Sequence, residues 1–292
     1  MSGSGGIEEI APAQTTLFVT LSLRNPFKTA LLLGALIPLT MVDFSSTLQA
    51  DPASDPYGKS ESALLGIFYD LKQTNDRKPT NVDHDLYAKV VDEFLSKDWD
   101  ENVLNRYYRV TRLLYTTQIF MPGMNADNLP TVLHVDKAAK PTRWLAQFKG
   151  QVSPPEPGTY RFVGTGDDVM AVAVNGKTEL VFNRIDVPLS LTTWKSSSPD
   201  SSAVASENLR NGDWFEVGPG EAIDLDIIMG DNPGYGFHCE VMIEKKGEHY
   251  NTDPKGNPIL PIFQVAPYDT PAADPKFSPP FQKSGPIWKC YQ

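Results

Sequence analysis

The chain has 292 residues, with 36 acidic against 26 basic side chains, a formal net charge of −10 and a sequence pI near 4.9. No cluster of Lys and Arg interrupts that acidity, which excludes nucleic acid as a partner, because a phosphate backbone is held by a concentrated basic face. Two cysteines, Cys239 and Cys290, are compatible with an oxidising compartment; a clip between tail and body and a pair of free thiols both fit the sequence.

Residues 1–50 read as an export signal: the basic stretch Arg24 to Lys28, the uncharged run Thr29 to Val42, then the small-residue exit ending at Ala50. The run is short of the roughly 20 apolar residues that cross a bilayer. Cleavage after Ala50 is expected, and an uncleaved segment acting as the one membrane anchor is the alternative. Either way the protein is expected to be secreted, periplasmic or on the cell surface. Residues 51–62 form a polar linker, 63–246 the folded domain and 247–292 a Pro-rich strap drawn across it.

Within the domain, Ala63 to Leu71 predicts a buried strand. The helical spacing of Leu86, Val90, Val91, Phe94 and Leu95 predicts an amphipathic helix over 83–97, capped by Asn81 or Asp83. Leu104, Tyr107 and Tyr108 suggest a second short helix, so that helical elements fall within 83–108. Leu114 to Met121 reads as extended and Pro122-Gly123 as its stop.

From Trp144 to Glu244 turn residues recur at short intervals, the pattern of a sandwich or barrel. Strands are predicted at 144–152, 159–164, 169–174, 179–182, 214–217, 222–229 and 237–243, with a Ser-rich insertion at 196–206. Asn175-Gly176 suits both positive-φ positions of a two-residue hairpin turn. The fold class is mainly β, an antiparallel sandwich or jelly-roll-like barrel with a small helical subdomain and the strap.

Between two of these strands lies Gly164-Thr165-Gly166-Asp167-Asp168-Val169-Met170. Adjacent carboxylates at a loop tip are costly unless a cation or several donors face them, so the segment points to a binding loop; side chains bonded to nearby amides are the plainer alternative. Other constellations are weaker. Gly164-Thr165-Gly166 lacks the third glycine and following helix of a dinucleotide fingerprint. His84, His134, His238 and His249 show no metal-ligand spacing and read as surface or core residues. Glu61, Asp70 and Glu93 have no partner that spacing identifies, no Gly-x-Ser-x-Gly elbow is present, and catalysis is not expected. Asp224 and Asp226 suggest a solvated strand edge, and Trp144 and Trp214 core positions.

The succession of Gly158-Thr159-Tyr160-Arg161-Phe162, Gly166-Asp167-Asp168, Val172 to Lys177, Gly220 to Leu225 and a final Gly-containing hairpin resembles the protective-antigen-type domain, a β-sandwich of toxins, glycosidase insertions and fungal flocculin adhesins. The likeness extends over about Leu64 to Lys246 and is most specific from Trp144 to Glu244. The adhesin branch implies an aspartate pair, joined by a cis peptide, that binds a calcium ion which in turn holds sugar hydroxyls, with a loop between the last two strands closing the site. Carried over, Asp167 and Asp168 match the pair, Asp231 stands at an asparagine position and Tyr235 at an aromatic one. The implied metal ligands are Asp167, Asp168 and Asp231, and Asn232 and Tyr235 join them in ligand binding. Calcium takes six to eight oxygens, a set that carboxylates, loop carbonyls and sugar hydroxyls together can fill. The implied partner is a glycan; a structural module contacting an envelope protein through helices and strap is the alternative.

Overall fold

In the computed structural model, residues 62–201, 209–232, 234–267, 270 and 278–291 are described. The expected export signal at 1–50 and nearly all of the linker at 51–62 lie outside them, as does part of the Ser-rich insertion. All the described residues belong to one compact unit.

Two antiparallel sheets are stacked face to face, as the sandwich reading requires. One has eight strands: β1 (Leu64–Thr74), β2 (Tyr107–Arg109), β3 (Leu114–Thr116), β5 (Trp144–Ser153), β7 (Val169–Val174), β8 (Lys177–Asn183), β11 (Ile223–Asp231) and β13 (Lys289–Tyr291). The other has five: β4 (Phe120–Asn125), β6 (Gly158–Gly166), β9 (Arg210–Asn211), β10 (Phe215–Val217) and β12 (Gly236–Lys245). Among the described residues the helices are α1 (His84–Ser96), α2 (Glu101–Leu104) and α3 (Leu129–Val132), with a 3-10 turn at Ala126–Asn128.

Three cores explain the sequence pattern. Between the sheets lie Phe68, Trp144, Phe148, Phe162, Val172 and Phe237, with Trp144 against Phe68 and Phe237 at ring distances of 5.3 and 5.2 Å. On the other face of the larger sheet, Tyr69, Leu145, Ala171 and Ile228 receive Tyr87, Val91, Phe94 and Leu95 of α1. Beyond the smaller sheet, Leu260 and Ile262 of the strap cover Phe120, Val163 and Met242. Strand β7 is buried along its whole length because both its faces are covered, which is why Val169 to Val174 is continuously apolar rather than alternating. The helical segment is therefore a layer on the sheet, not a subdomain: α1 has 13 residues, too few to enclose a core of their own.

Several elements fall where the sequence puts them. Asp83 caps α1 by accepting from the Leu86 amide. Asn175 and Gly176 take φ of 50° and 78° in the β7–β8 hairpin. Others differ. Tyr107–Arg109 is a strand paired to β1, not a continuation of helix. Strand β4 runs through Pro122-Gly123 instead of stopping: among the described residues it pairs with β12 alone, and the register shifts between Phe237 and Cys239 opposite them, where a missing donor is tolerated. Strand β11 is interior, between β5 and β7, so Asp224 and Asp226 are not on an edge; Asp226 is held by Gln147 at 3.0 Å and Lys149 at 3.2 Å. Trp214 is half-buried at the surface beneath Arg161, whose guanidinium lies 4.6 Å from the ring centroid. Within the insertion, Asn211 fastens Pro199 through a 2.6 Å hydrogen bond.

Cys239 and Cys290 are both buried and both free. The tail is held instead by β13 on β5 and by Trp288, fully buried against Tyr160 and Phe263 at 5.1 and 5.5 Å. Reductant is therefore expected to leave the denaturant midpoint unchanged, whereas W288A should lower stability by about 3 to 5 kcal/mol. Glu240 lies beneath the strap with no exposed surface, and burial pushes its carboxyl up to about 7 while Ser278 and His238 pull the other way. The fold thus holds a proton that the unfolded chain releases near its ordinary value of 4.5, so this group's contribution is complete at low pH and is lost as pH rises to about 7. E240Q should match wild type near pH 4 and exceed it by about 1 to 3 kcal/mol at pH 8, read from urea unfolding across that range.

Candidate functional site

Asp167 and Asp168 form the crossover from β6, in the smaller sheet, to β7, in the larger. Each backbone amide is claimed by a different sheet: Asp167 N–H donates to the His238 carbonyl at 2.9 Å and Asp168 N–H to the Gly230 carbonyl at 3.0 Å. The peptide between them is cis. The glycines before the pair serve packing, not phosphate: a Cβ on Gly164 would sit 2.6 Å from the Glu240 carbonyl of β12.

Both residues are nearly enclosed, at 7% and 4% exposure. Asp167 Oδ1 accepts from Arg184 Nη1 at 2.8 Å, and Asp168 Oδ1 lies 3.5 Å from Arg184 Nε. Asp168 Oδ2 accepts from the Asn232 amide at 2.7 Å. Burial raises the Asp168 carboxyl, and the carboxyl of Asp167, within hydrogen-bond reach, raises it further. Asp231 is completely buried, with neither carboxylate oxygen hydrogen-bonded among the described residues. Its carboxyl is pushed up to about 8 by burial, then by the charges of Asp168 and Asp167. One guanidinium thus faces the paired carboxyl groups of Asp167 and Asp168, with the buried carboxyl of Asp231 behind them.

The loop after β11 closes over this pair. Asn232 Nδ2 faces His84 Nδ1 at 2.7 Å and the His84 carbonyl at 3.3 Å. A carbonyl can only accept, so the amide is oriented with Nδ2 on that side, and Asn232 Oδ1 is left buried without a donor among the described residues. Asp167 Oδ2 would lie 3.9 Å from a Cβ on Gly236. Between these points Tyr235 stands out at 97% exposure.

Of the residues singled out from sequence, Asp167, Asp168 and Asn232 come together, Tyr235 stands at the rim, and Asp231 lies inward of the pair. Among the described residues no group of three or more His, Cys, Asp or Glu side chains is placed to hold a metal ion. Asp70 and Glu93 belong elsewhere, Asp70 paired with Lys72 at 2.6 Å and Glu93 with Lys97 and Arg106 at 2.8 and 2.6 Å. Arg184 and His84 are what sequence reasoning missed. Arg184 had a signal: counting out from the Asn175-Gly176 turn brings it opposite the doublet, and its amide donates to the Asp168 carbonyl at 2.9 Å.

Arg184 begins a turn that is itself anchored. Asn183 Nδ2 donates to the Arg184 and Val187 carbonyls at 3.2 and 2.8 Å. Further on, buried Asp92 of α1 accepts from the amides of Ser190, Leu191 and Thr192 at 2.6, 2.6 and 2.7 Å. At the tip, Ile185 is 98% exposed.

Residues 101–205 match the PA14 domain family; the match takes in the doublet and Arg184 and ends before the Tyr235 loop. Among solved structures, the PA14 sugar-binding domain of an RTX adhesin is 17% identical, covering 69% of this chain and 94% of that one at a TM-score of 0.40. The PA14 domain of the antifreeze protein MpAFP is 14% identical, over 68% and 88%, at 0.40. The epithelial adhesin 6 A domain of Candida glabrata, solved with Galβ1-3GlcNAc, is 12% identical over 69% and 86%, at 0.37. No curated protein matches the chain.

Removing the Asp92 carboxylate leaves three backbone amides without their acceptor. D92A should cost about 2 to 4 kcal/mol and abolish hydrogen-exchange protection at Leu191 and Thr192 while amides in β7 stay protected. Retained protection at 191 and 192 would show that the turn is held by something else.

Proposed function

We propose that this chain is a carbohydrate-binding module, acting outside the cytoplasm, that grips glycan hydroxyls through calcium at Asp167 and Asp168. The observation that carries the reading is the pair of enclosed carboxyl groups, within hydrogen-bond reach of each other, on a backbone tied to both sheets and bordered by the fully exposed Tyr235. Two carboxylates so close are stable only with a shared proton or a cation. The PA14 match over residues 101–205 supports the same reading, since it spans that pair.

The donor set fits a hard cation of flexible coordination. Asp167 and Asp168 supply carboxylate oxygens, and Asn232 Oδ1 is a buried acceptor waiting for a positive partner. Asp231, fully buried behind the pair, is not offered as a ligand. Calcium, when bound, would polarise and orient vicinal hydroxyls of a sugar. The chain's own part is to exclude water with the 230–236 loop and to offer Tyr235 as a platform for the apolar face of a pyranose. Binding without chemistry is the role proposed: the exposed side chains of Tyr235 and Ile185 beside the pair offer contact surface for a ligand.

The scaffold alternative has less behind it. The strap and α1, which would meet an envelope partner, spend their apolar faces on this chain's own sheets. Among the described residues no helix is long and apolar enough to cross a membrane.

A glycan array followed by titration calorimetry tests the proposal. Wild type should bind a sugar in calcium and lose it in EGTA; D167N and D168N should abolish the signal, and Y235A should weaken it roughly tenfold, the effect of one lost stacking contact. Silence on every glycan in the presence of calcium would end the carbohydrate reading.

A further inference from the structure

We propose that Arg184 is the resident counter-ion of the acidic pair and a built-in competitor for the divalent cation, which binds only as the guanidinium leaves. This rests on the calcium reading above and goes beyond it, by naming the residue that sets the affinity of the site for its ion.

The geometry is that of a clamp with one movable side. Arg184 reaches both carboxyl groups, at 2.8 Å to Asp167 and 3.5 Å to Asp168. Their side chains are 10% and 6% exposed, whereas that of Arg184 is 40% exposed. The carboxylates are therefore enclosed by their surroundings, whereas the guanidinium side chain reaches the surface. Its main chain is secured independently, by the 2.9 Å hydrogen bond from its amide to Asp168 and the contact from Asn183 to its carbonyl, so the side chain can swing without unravelling the turn. A second anion stands outside: Asp186 Oδ1 lies 3.5 Å from Arg184 Nε and its side chain is 46% exposed. Rotation of the guanidinium toward Asp186 exchanges a buried partner for an exposed one and frees Asp167 Oδ1.

Competition follows from charge. A dication seated on Asp167 and Asp168 and a guanidinium on the same oxygens would be like charges in contact, beside enclosed carboxylates where water screens them only in part. Each therefore weakens the other, and deleting the guanidinium charge should strengthen the ion's binding by roughly tenfold or more.

The test is calorimetric titration of calcium chloride, without sugar, into wild type, R184M and R184K, with melting temperatures of each in EGTA and in calcium. R184M should bind calcium at least roughly tenfold more tightly than wild type and R184K should stay near wild type. In EGTA, R184M should melt below wild type, because its carboxylates have lost their partner, and calcium should raise its melting temperature by more than it raises that of wild type. Equal or weaker calcium binding by folded R184M would overturn the competition while leaving the calcium reading intact. Absence of calcium binding in wild type and R184M alike would overturn both.

Discussion

Two carboxyl groups held side by side, almost out of water, are the feature to which the rest of this structure answers. Asp167 and Asp168 are 7% and 4% exposed, and neither can move away because its backbone amide belongs to a different sheet. A protein removes such charges from water only when something offsets the cost. Here the offsets are visible one by one: the Arg184 guanidinium, the Asn232 amide, and protons retained by Asp168 and Asp231 beyond their ordinary range. The result is a rim of close-set carboxyl groups with a guanidinium that reaches the surface beside them.

The layered fold explains how that rim is kept in shape. Helix α1 does more than cover the larger sheet. His84 at its start orients the Asn232 amide, and Asp92 near its end gathers the amides of residues 190–192. One helix therefore anchors both loops that border the doublet, the turn bearing Arg184 and Ile185 and the loop bearing Tyr235. These two exposed apolar side chains stand on supported backbone, which suits contact with a ligand better than contact with solvent. Meanwhile the strap closes the far sheet with Leu260, Ile262 and Trp288, leaving the loop end as the place where polar side chains and exposed aromatic surface meet.

Much of this was legible in the sequence because local chemistry decided it. Asn175-Gly176 left few options but a hairpin, Asp83 was the natural cap, and Asp167-Asp168 announced a charged junction between strands. What was not legible depended on register or on partners distant in the chain. A shift in pairing between Val172 and Ala173 decides which aspartate faces Arg184, and no pattern in the sequence reports it. At the end of β11 both Asp231 and Asn232 are buried; sequence placed Asp231 in the ligand set on class alone, while the structure gives the oriented amide to Asn232 and leaves the Asp231 carboxyl without a hydrogen bond among the described residues. Tyr107–Arg109 reads as helix locally and becomes strand because β1 offers it an edge. Trp214, apolar by composition, stays near the surface because Arg161 covers its ring.

What sits between Asp167 and Asp168 decides whether this is a cation site. The direct measurement is an anomalous difference map from a crystal grown in calcium and soaked with the best array sugar. A single peak about 2.3 to 2.6 Å from carboxylate oxygens of Asp167 and Asp168 and from Asn232 Oδ1, with Arg184 turned toward Asp186, is the predicted result. A map with no peak and the guanidinium still on Asp167 would contradict it.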